Sequence, residues 1–324
     1  MDALVEAAIA HWAPRIVANG VPFTDFQEVT AGLQIWDDWC AAWSARGAVH
    51  EAIGRDDLAA GHGLSAGQHL TDAAVCYHFG KYLFVHDRPA MKAAHMKAVE
   101  CRTLALPHLR PPGERVEIAY EGGALFGNLR RPRGVDRPPV VVMAMGLDSA
   151  KEEMHAYETS FLDRGMATLA FDGPGQGEGE YDFVIRHDYE VPVGAVLDFV
   201  AARGDVDEGR LAIWGVSLGG YYAARAAAFE PRIKAAVILS GPFDWGAIWD
   251  QLPAITRTAF QVRAGCESET AAVARAGDLS LVGVAEKINC PLFVVGGKRD
   301  GVIPYQDVER LAAEASGPVR VLII

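Results

Sequence analysis

The sequence predicts an α/β protein in which a mostly parallel sheet, covered by helices on both faces, follows an all-helical N-terminal domain. Three observations lead to this prediction. Apolar residues recur at helical spacing up to about residue 110, a Pro-Pro-Gly sequence at 111–113 interrupts them, and strand and helix patterns alternate from there onward. Strands that alternate with helices pair in parallel, because each crossover returns the chain to the same end of the sheet. We therefore expect a helical domain over residues 1–110 and a sheet domain over residues 111–324.

The helical domain is predicted from apolar residues that are spaced by three or four positions. Such residues lie on one face of an α-helix, which can then pack against its neighbours. Clear examples are Leu4, Ala8, Ile9 and Trp12, followed by Leu33, Trp36, Cys40 and Trp43. Turn signals at Asn19-Gly20 and at residues 61–63 separate the predicted helices.

The sheet domain is predicted from short apolar runs that alternate with helical patterns. Predicted strands cover residues 116–120 and 124–129, which form a hairpin, and 140–145, 167–171, 211–214, 235–239, 292–295 and 319–324. Predicted helices cover 149–164, 187–203, 221–229 and 304–317. Ser149 and Glu152 predict a capping box at the start of the first helix, and Gly165 is placed to end it. The sequence of residues 243–285 predicts a helical insertion over the site. Phe243, Trp245 and Trp249 lie at the start of this insertion.

Composition is that of a soluble globular chain, with half of the residues hydrophobic and 22% charged. The formal net charge of −12 argues against nucleic acid and anionic membranes as partners. The five cysteines are scattered without a Cys-x-x-Cys pair, which is typical of reduced thiols in a cytoplasmic protein. Acidic residues stand where a secretory signal needs basic ones, and no apolar run approaches the ~18 residues that span a bilayer.

A nucleophile is predicted at the sequence Gly215-Val216-Ser217-Leu218-Gly219. The pattern alone is weak, but here it follows a predicted strand and opens a predicted helix, as a nucleophile elbow requires. A sharp strand-to-helix turn strains the serine backbone, and the glycines let the strand and the helix approach closely. The helix N-terminus adds N–H groups and positive potential for a developing oxyanion. The alternative is a glycine-rich turn with a solvated serine.

The other members of such a site are expected in loops after neighbouring strands. Asp300 follows the predicted strand 292–295 and is the candidate triad acid, although it could also cap the next helix. The loop after strand 140–145 places the backbone N–H of Leu147 as a second oxyanion donor beside that of Leu218. Asp148 is a candidate substrate contact, with a helix-start charge as the more ordinary role.

No cofactor is expected from the sequence. The glycine-rich segment 171–177, Phe-Asp-Gly-Pro-Gly-Gln-Gly, follows a predicted strand, but it lacks the Gly-Lys-Ser/Thr ending of a phosphate loop. No group of His, Cys and Asp residues has the spacing of metal ligands along the chain. We therefore predict neither a metal nor a nucleotide cofactor.

The motifs together resemble the branch of the α/β-hydrolase family that carries an N-terminal helical cap. The resemblance rests on the helical domain, GLDSAKEE at 146–153, FDGPGQG at 171–177 and WGVSLGG at 214–220. It covers the whole chain, although the motifs specify only the branch. It implies Ser217 as nucleophile, Asp300 as triad acid and a helical domain that closes over the carboxyl ends of the strands.

The resemblance also implies a histidine after the last strand, and none is present there. All ten histidines precede Ser217, the last being His187. We therefore expect that the C-terminal end is truncated and that these 324 residues alone do not turn over substrate. His155 and His187 are the alternative bases within the sheet domain.

The function implied by the resemblance is hydrolysis of a carbon–carbon bond beside a ketone. The expected substrate is a small cationic aromatic ketone, a dihydroxypyridine with a 4-(methylamino)butanoyl chain as in bacterial nicotine breakdown, and the expected assembly is a homodimer. The rings of Trp36, Trp39, Trp245 and Trp249 are candidates for binding the amine, with core packing as the alternative. Two other functions remain open: a carboxylesterase acting on small aryl esters, and a non-catalytic binding protein on a hydrolase scaffold.

Overall fold

The computed structural model describes residues 1–324 and divides into two compact units. The helical unit comprises Met1–Arg115 together with Ala150–Asp163, and the sheet unit comprises Val116–Ser149 and Arg164–Ile324. The sequence pattern places residues 150–163 with the sheet, whereas in the structure they pack within the helical unit.

Five helices form the body of the helical unit, which confirms the predicted helical character of this segment. They are α1 (Ala3–Ala18), α2 (Phe23–Gly32), α3 (Trp39–Ala59), α4 (Gly63–Lys81) and α5 (Arg88–Ala105). Side-chain caps start two of them, because Asp2 accepts from the N–H of Leu4 and Asp87 from that of Ala90, each at 3.0 Å. No helix of the structure combines the length and the apolarity that crossing a membrane requires.

Residues 150–163 add a short 3₁₀ helix, Lys151–Met154, and α6 (His155–Leu162) to the helical unit. The predicted capping box is wrong, since neither of these helices starts with a side-chain cap. The reason is that the Glu152 carboxylate is buried beside Lys151, 2.7 Å away, and His95, 3.4 Å away. Two further ion pairs hold the segment: Arg15–Glu153 at 2.6 Å, in which Arg15 is partly exposed, and the buried Arg102–Glu158 at 2.8 Å.

The sheet unit is built on one eight-stranded sheet. Its strands are β1 (Gly113–Tyr120), β2 (Gly123–Arg130), β3 (Pro139–Ala144), β4 (Ala167–Asp172), β5 (Asp207–Val216), β6 (Ile233–Leu239), β7 (Leu292–Gly296) and β8 (Val319–Ile323). Their order is β1-β2-β4-β3-β5-β6-β7-β8, with β2 and β4 antiparallel and the neighbours from β4 to β8 parallel. The predicted hairpin and the six later strands are confirmed to within a few residues.

Five helices accompany the sheet. They are α7 (Glu190–Ala201), α8 (Leu218–Phe229), α9 (Ala254–Arg263), α10 (Glu269–Gly277) and α11 (Tyr305–Glu314). Helices α9 and α10 belong to the predicted insertion between β6 and β7. The start of the insertion is bonded to α11, since the Asp307 carboxylate accepts from the N–H of Phe243 at 2.8 Å. Since β3, β4, β5, β6 and β7 run parallel, the loops that follow them lie at one edge of the sheet.

Candidate active site

The Gly-x-Ser-x-Gly turn joins β5, a central strand, to α8. Ser217 has φ 56° and ψ −131°, a backbone conformation that side chains other than glycine seldom adopt. Its N–H donates to the carbonyl of Leu239 on the neighbouring strand at 2.9 Å, and its own carbonyl accepts from Gly220 at 2.7 Å. These bonds hold a strained, half-buried serine at the carboxyl end of the strand, in the strand–turn–helix form that the sequence predicts.

The two glycines of the motif are required by close backbone contacts. A Cβ atom on Gly215 would lie 2.0 Å from the carbonyl oxygen of Gly219. A Cβ on Gly219 would lie 2.4 Å from the carbonyl oxygen of Ala144 and 2.6 Å from that of Met145. Backbone atoms at these distances cannot move aside cheaply, so only glycine allows α8 to start this close to β3 and β5.

The loop after β3 lies directly against Ser217. A Cβ on Gly146 would be 3.4 Å from the Cβ of Ser217. The next residue, Leu147, is buried, and its backbone N–H donates to no acceptor of the protein. The N–H of Leu218, in the first turn of α8, is likewise without a protein acceptor. Two unused amide donors therefore flank the serine, as an oxyanion site requires.

Gln176, in the glycine-rich loop after β4, holds the loop after β3. Its Nε2 donates to the carbonyl of Met145 and, at 3.1 Å, to that of Gly146. Since these carbonyl oxygens only accept, the amide nitrogen of Gln176 must face the loop, and the hydroxyl of Tyr189 donates to Gln176 Oε1 at 2.5 Å. Burial, with contributions from Tyr222 and Asp172, raises the pKa of Tyr189 well above 10, so this hydroxyl keeps the proton that it donates.

Arg263, at the end of α9, joins the insertion to two loops of the sheet edge. Its guanidinium is fully buried and bonds the carboxylates of Asp148 and, at 2.8 Å, Glu180. Burial by itself lowers the pKa of Arg263, but the carboxylates of Glu180 and Asp148 outweigh burial and raise it. Asp148 is therefore neither a helix-start charge nor free for a ligand, because it belongs to a buried ion-pair network.

Asp300 lies in the loop after β7. Its Oδ1 accepts from the N–H groups of Val302 and Ile303, at 2.9 and 3.0 Å. The residue that caps α11 is Pro304, so Asp300 closes the preceding loop and does not cap the helix. Oδ2 takes no part in these two bonds. In the order of the sheet, β7 lies two strands away from β5, the strand that leads into the turn at Ser217.

The two histidines considered as alternative bases lie in different surroundings. His155 belongs to the helical unit, where its Nδ1 lies 3.5 Å from a guanidinium nitrogen of Arg102. His187 is exposed, and its carbonyl accepts from the hydroxyl of Tyr221 at 2.9 Å. Neither makes a hydrogen bond to Ser217 in the structure.

The four candidate tryptophans form cores within their units. Trp36 and Trp39 stack on each other with ring centroids 5.0 Å apart. Trp245 and Trp249 pack against Phe260, at 6.0 and 5.6 Å. All four are at most 6% exposed, which favours core packing over amine binding.

Comparison with known proteins identifies the family. The family model described as esterase FrsA-like matches residues 25–252, more than two thirds of the sequence. The chain belongs to the FrsA-like esterase family. It is a hydrolase with the α/β-hydrolase fold, and the sequence resemblance to this fold family is confirmed.

Individual proteins of known name give a more specific comparison than the family model does. The 2,6-dihydropseudooxynicotine hydrolase of Paenarthrobacter nicotinovorans is 33% identical over 305 residues, which covers 92% of this chain and 80% of that protein. The crystal structure of a 2,6-dihydroxy-pseudo-oxynicotine hydrolase superimposes with a TM-score of 0.87 at 31% identity, covering 95% of this chain and 87% of that one. The hydrolyase poxO of Penicillium oxalicum is 36% identical over 242 residues; this match covers 68% of the present chain and 56% of the fungal protein.

Proposed function

We propose that this protein hydrolyses the carbon–carbon bond between an aromatic ring and a ketone carbon, with Ser217 as nucleophile. The observation that carries the proposal is the strained Ser217 between the two unused amide donors of Leu147 and Leu218. The likeness to a pseudooxynicotine hydrolase supports 2,6-dihydroxypseudooxynicotine as the substrate. The products would be 2,6-dihydroxypyridine and 4-methylaminobutanoate.

In the first half of the reaction, Oγ of Ser217 attacks the ketone carbon and its proton passes to a general base. The carbonyl oxygen becomes an oxyanion, which accepts from the N–H groups of Leu147 and Leu218. The bond to the ring then breaks, and its electron pair stays on the ring carbon, which takes up a proton. A dihydroxypyridine is a competent leaving group because its keto tautomers delocalise this charge.

In the second half, the 4-methylaminobutanoyl group remains as an ester on Ser217. Water attacks this ester at the same oxyanion site, releases 4-methylaminobutanoate and returns the proton to Ser217. Asp300 is proposed to orient and stabilise the base in both halves through its carboxylate. We assign the base to neither His155 nor His187, because neither makes a hydrogen bond to Ser217 in the structure.

A carboxylesterase is the second candidate, favoured by the esterase description of the family model. The same nucleophile and oxyanion donors cleave an ester when the leaving group is an alkoxide or phenoxide. An esterase has no need of a ring that accepts a proton at carbon, so it would hydrolyse small aryl esters as well as or better than ketones.

The test compares kcat/KM for 2,6-dihydroxypseudooxynicotine with that for 4-nitrophenyl butyrate. A carbon–carbon hydrolase releases 2,6-dihydroxypyridine and prefers the ketone, whereas preference for the ester would favour the esterase. The Ser217→Ala variant should lose about three orders of magnitude or more in kcat on either substrate. Ser65→Ala, an exposed serine of α4, is the matched control and should leave kcat unchanged. A Ser217→Ala protein that keeps more than about a tenth of kcat would exclude Ser217 as the nucleophile.

A further inference from the structure

A cluster of metal-binding side chains lies in the helical unit, outside the site described above. His50 on α3 and His69 and Asp72 on α4 each offer one donor atom, and these three atoms lie within 4.8 Å of one another. The two imidazole rings are stacked, with centroids 6.1 Å apart. Because His69 and Asp72 are three residues apart on a helix, they share the face of α4 that meets His50.

Two nitrogens of this cluster are buried without a hydrogen-bond partner. They are Nδ1 of His50 and Nδ1 of His69. Buried polar atoms of proteins are nearly always satisfied by protein, water or an ion. Two imidazole nitrogens without a protein partner, close to each other and to a carboxylate, are available to bind a metal ion.

A second carboxylate orients the first of these histidines. Asp25 Oδ2 lies 2.5 Å from Nε2 of His50, so Nε2 carries the proton and Nδ1 presents its lone pair to the cluster. This carboxylate–histidine arrangement is the usual support of a histidine that ligates a metal. Arg46, whose Nε lies 3.6 Å from Asp25 Oδ1, balances the charge of that carboxylate and leaves Asp72 to face the imidazoles.

We propose that His50, His69 and Asp72 bind one zinc ion. Two neutral imidazoles and one carboxylate form a borderline nitrogen–oxygen donor set that suits Zn²⁺, with water as the fourth ligand. Donor atoms around a tetrahedral zinc lie ~3.3 Å apart, since the bonds are about 2.0–2.1 Å. A set that already lies within 4.8 Å reaches this arrangement through small side-chain rotations.

The site links helices that are separate in sequence, which explains why ligand spacing along the chain does not reveal it. His50 and His69 are nineteen positions apart, with the turn between α3 and α4 between them. A metal bound to both helices stabilises the folded helical unit over the unfolded chain. Cys76, whose donor atom also lies near Asp25 and His50, stands outside the proposed set.

The experiment measures zinc binding by the whole chain after dialysis against a chelator and then against metal-free buffer. Titration calorimetry should show one equivalent of Zn²⁺ bound, and zinc should raise the Tm by about 3 °C or more when present at a hundred times its Kd. Co²⁺ in place of zinc should give the visible absorption of a tetrahedral or five-coordinate site with nitrogen and oxygen ligands, without a thiolate charge-transfer band.

The variants separate this site from adventitious binding. His69→Ala and Asp72→Asn should each weaken binding at least 100-fold, and Asp25→Asn should weaken it 10- to 100-fold. His62→Ala, an exposed histidine in the α3–α4 turn, and Cys76→Ser should bind zinc like the parent. Circular dichroism of the metal-free variants establishes that they fold. If the parent binds no zinc, or if folded Asp72→Asn and His69→Ala bind it as tightly as the parent, the proposal is wrong.

Discussion

At the scale of single residues, the peptide between Gly146 and Leu147 is the most informative group of the candidate site. In a trans peptide the C=O and the N–H point in opposite directions. Gln176 binds the carbonyl of Gly146, so the N–H of Leu147 must face away from Gln176. We infer that Gln176 is a positioning residue, which acts by aiming the oxyanion donor and does not touch the substrate.

Replacing Gln176 with leucine should therefore lower kcat far more than it raises KM. Loss of one oxyanion donor costs about 10²–10³ in kcat, and a freed peptide should approach this loss. Tyr189→Phe removes only the bond to Gln176 Oε1, so its kcat should fall by about tenfold. Steady-state kinetics of both variants measure these effects.

The matched control is Gln306→Leu, an exposed glutamine of α11. It should leave kcat and KM unchanged. If Gln176→Leu raises KM and leaves kcat intact while the Tm is preserved, then Gln176 contributes to ground-state binding and the positioning role is wrong.

At the scale of secondary-structure elements, Arg263 ties α9 to the loops after β3 and β4 through Asp148 and Glu180. A buried ion pair contributes little net stability when it is intact, because desolvation offsets much of the attraction. Removing one partner is costly, because it leaves a buried charge without compensation. We infer that the network contributes to where the insertion packs.

Arg263→Met should destabilise the protein by about 3–5 kcal/mol, because the carboxylates of Asp148 and Glu180 lose the buried guanidinium. Arg257→Met on the same helix is the matched control. Arg257 pairs with Glu269 at 3.7 Å, where that carboxylate is two-thirds exposed, and donates to the carbonyl of Leu252 at 3.0 Å, so the change should cost about 1–2 kcal/mol. Urea unfolding of both variants gives the two free energies, and equal losses would contradict the assigned role of Arg263.

Some secondary-structure elements and site residues can be predicted from the sequence, and others cannot. The strands of the sheet and the turn at Ser217 are predictable, because buried strands need apolar runs and the tight turn needs glycines, and both patterns lie within a few neighbouring residues. The helix starting at Ser149 is mispredicted, because its capping pattern is local whereas Glu152 pairs with His95, 57 residues away. Gln176 and Arg263 are missed for the same reason, since their partners are distant in the chain. A glutamine between two glycines of a buried loop is the signal that could have indicated Gln176.

At the scale of the whole molecule, ion pairs make the folded chain sensitive to acid. Interactions with basic side chains and N–H groups lower the pKa of many carboxylates below their ordinary values of 3.8 for Asp and 4.5 for Glu. These carboxylates are Glu51, Glu100, Glu152, Asp188, Asp205, Asp207, Glu208 and Glu230. Burial acts in the opposite direction at Asp72, where it raises the pKa to about 6, and at Asp307. More carboxylates have a lowered pKa than a raised one, so acid should destabilise the fold.

The sign of the effect is clearest for Glu152, whose carboxylate is buried. Burial raises its pKa, but Lys151 and His95 outweigh burial and hold the pKa well below 4.5. A carboxyl group with a lowered pKa stabilises the folded state above its unfolded pKa, and this stabilisation is lost as the pH falls through the folded value. The free energy of unfolding should therefore decrease as the pH is lowered below about 4.5.

Glu152→Gln isolates this contribution, because glutamine keeps the shape and has no proton to gain. At pH 7 the variant should be about 3–5 kcal/mol less stable than the parent, since the buried Lys151 loses the charge of the Glu152 carboxylate. The difference should narrow as the pH falls below about 4.5, because the unfolded parent then takes up a proton at Glu152 that the folded parent takes up only at lower pH. Glu117→Gln, an exposed carboxylate of β1, is the control and should match the parent at every pH. Urea unfolding at pH 7, 5, 4 and 3 measures these differences; a Glu152→Gln deficit that stays constant over this range would show that the ionisation of Glu152 does not contribute to acid sensitivity.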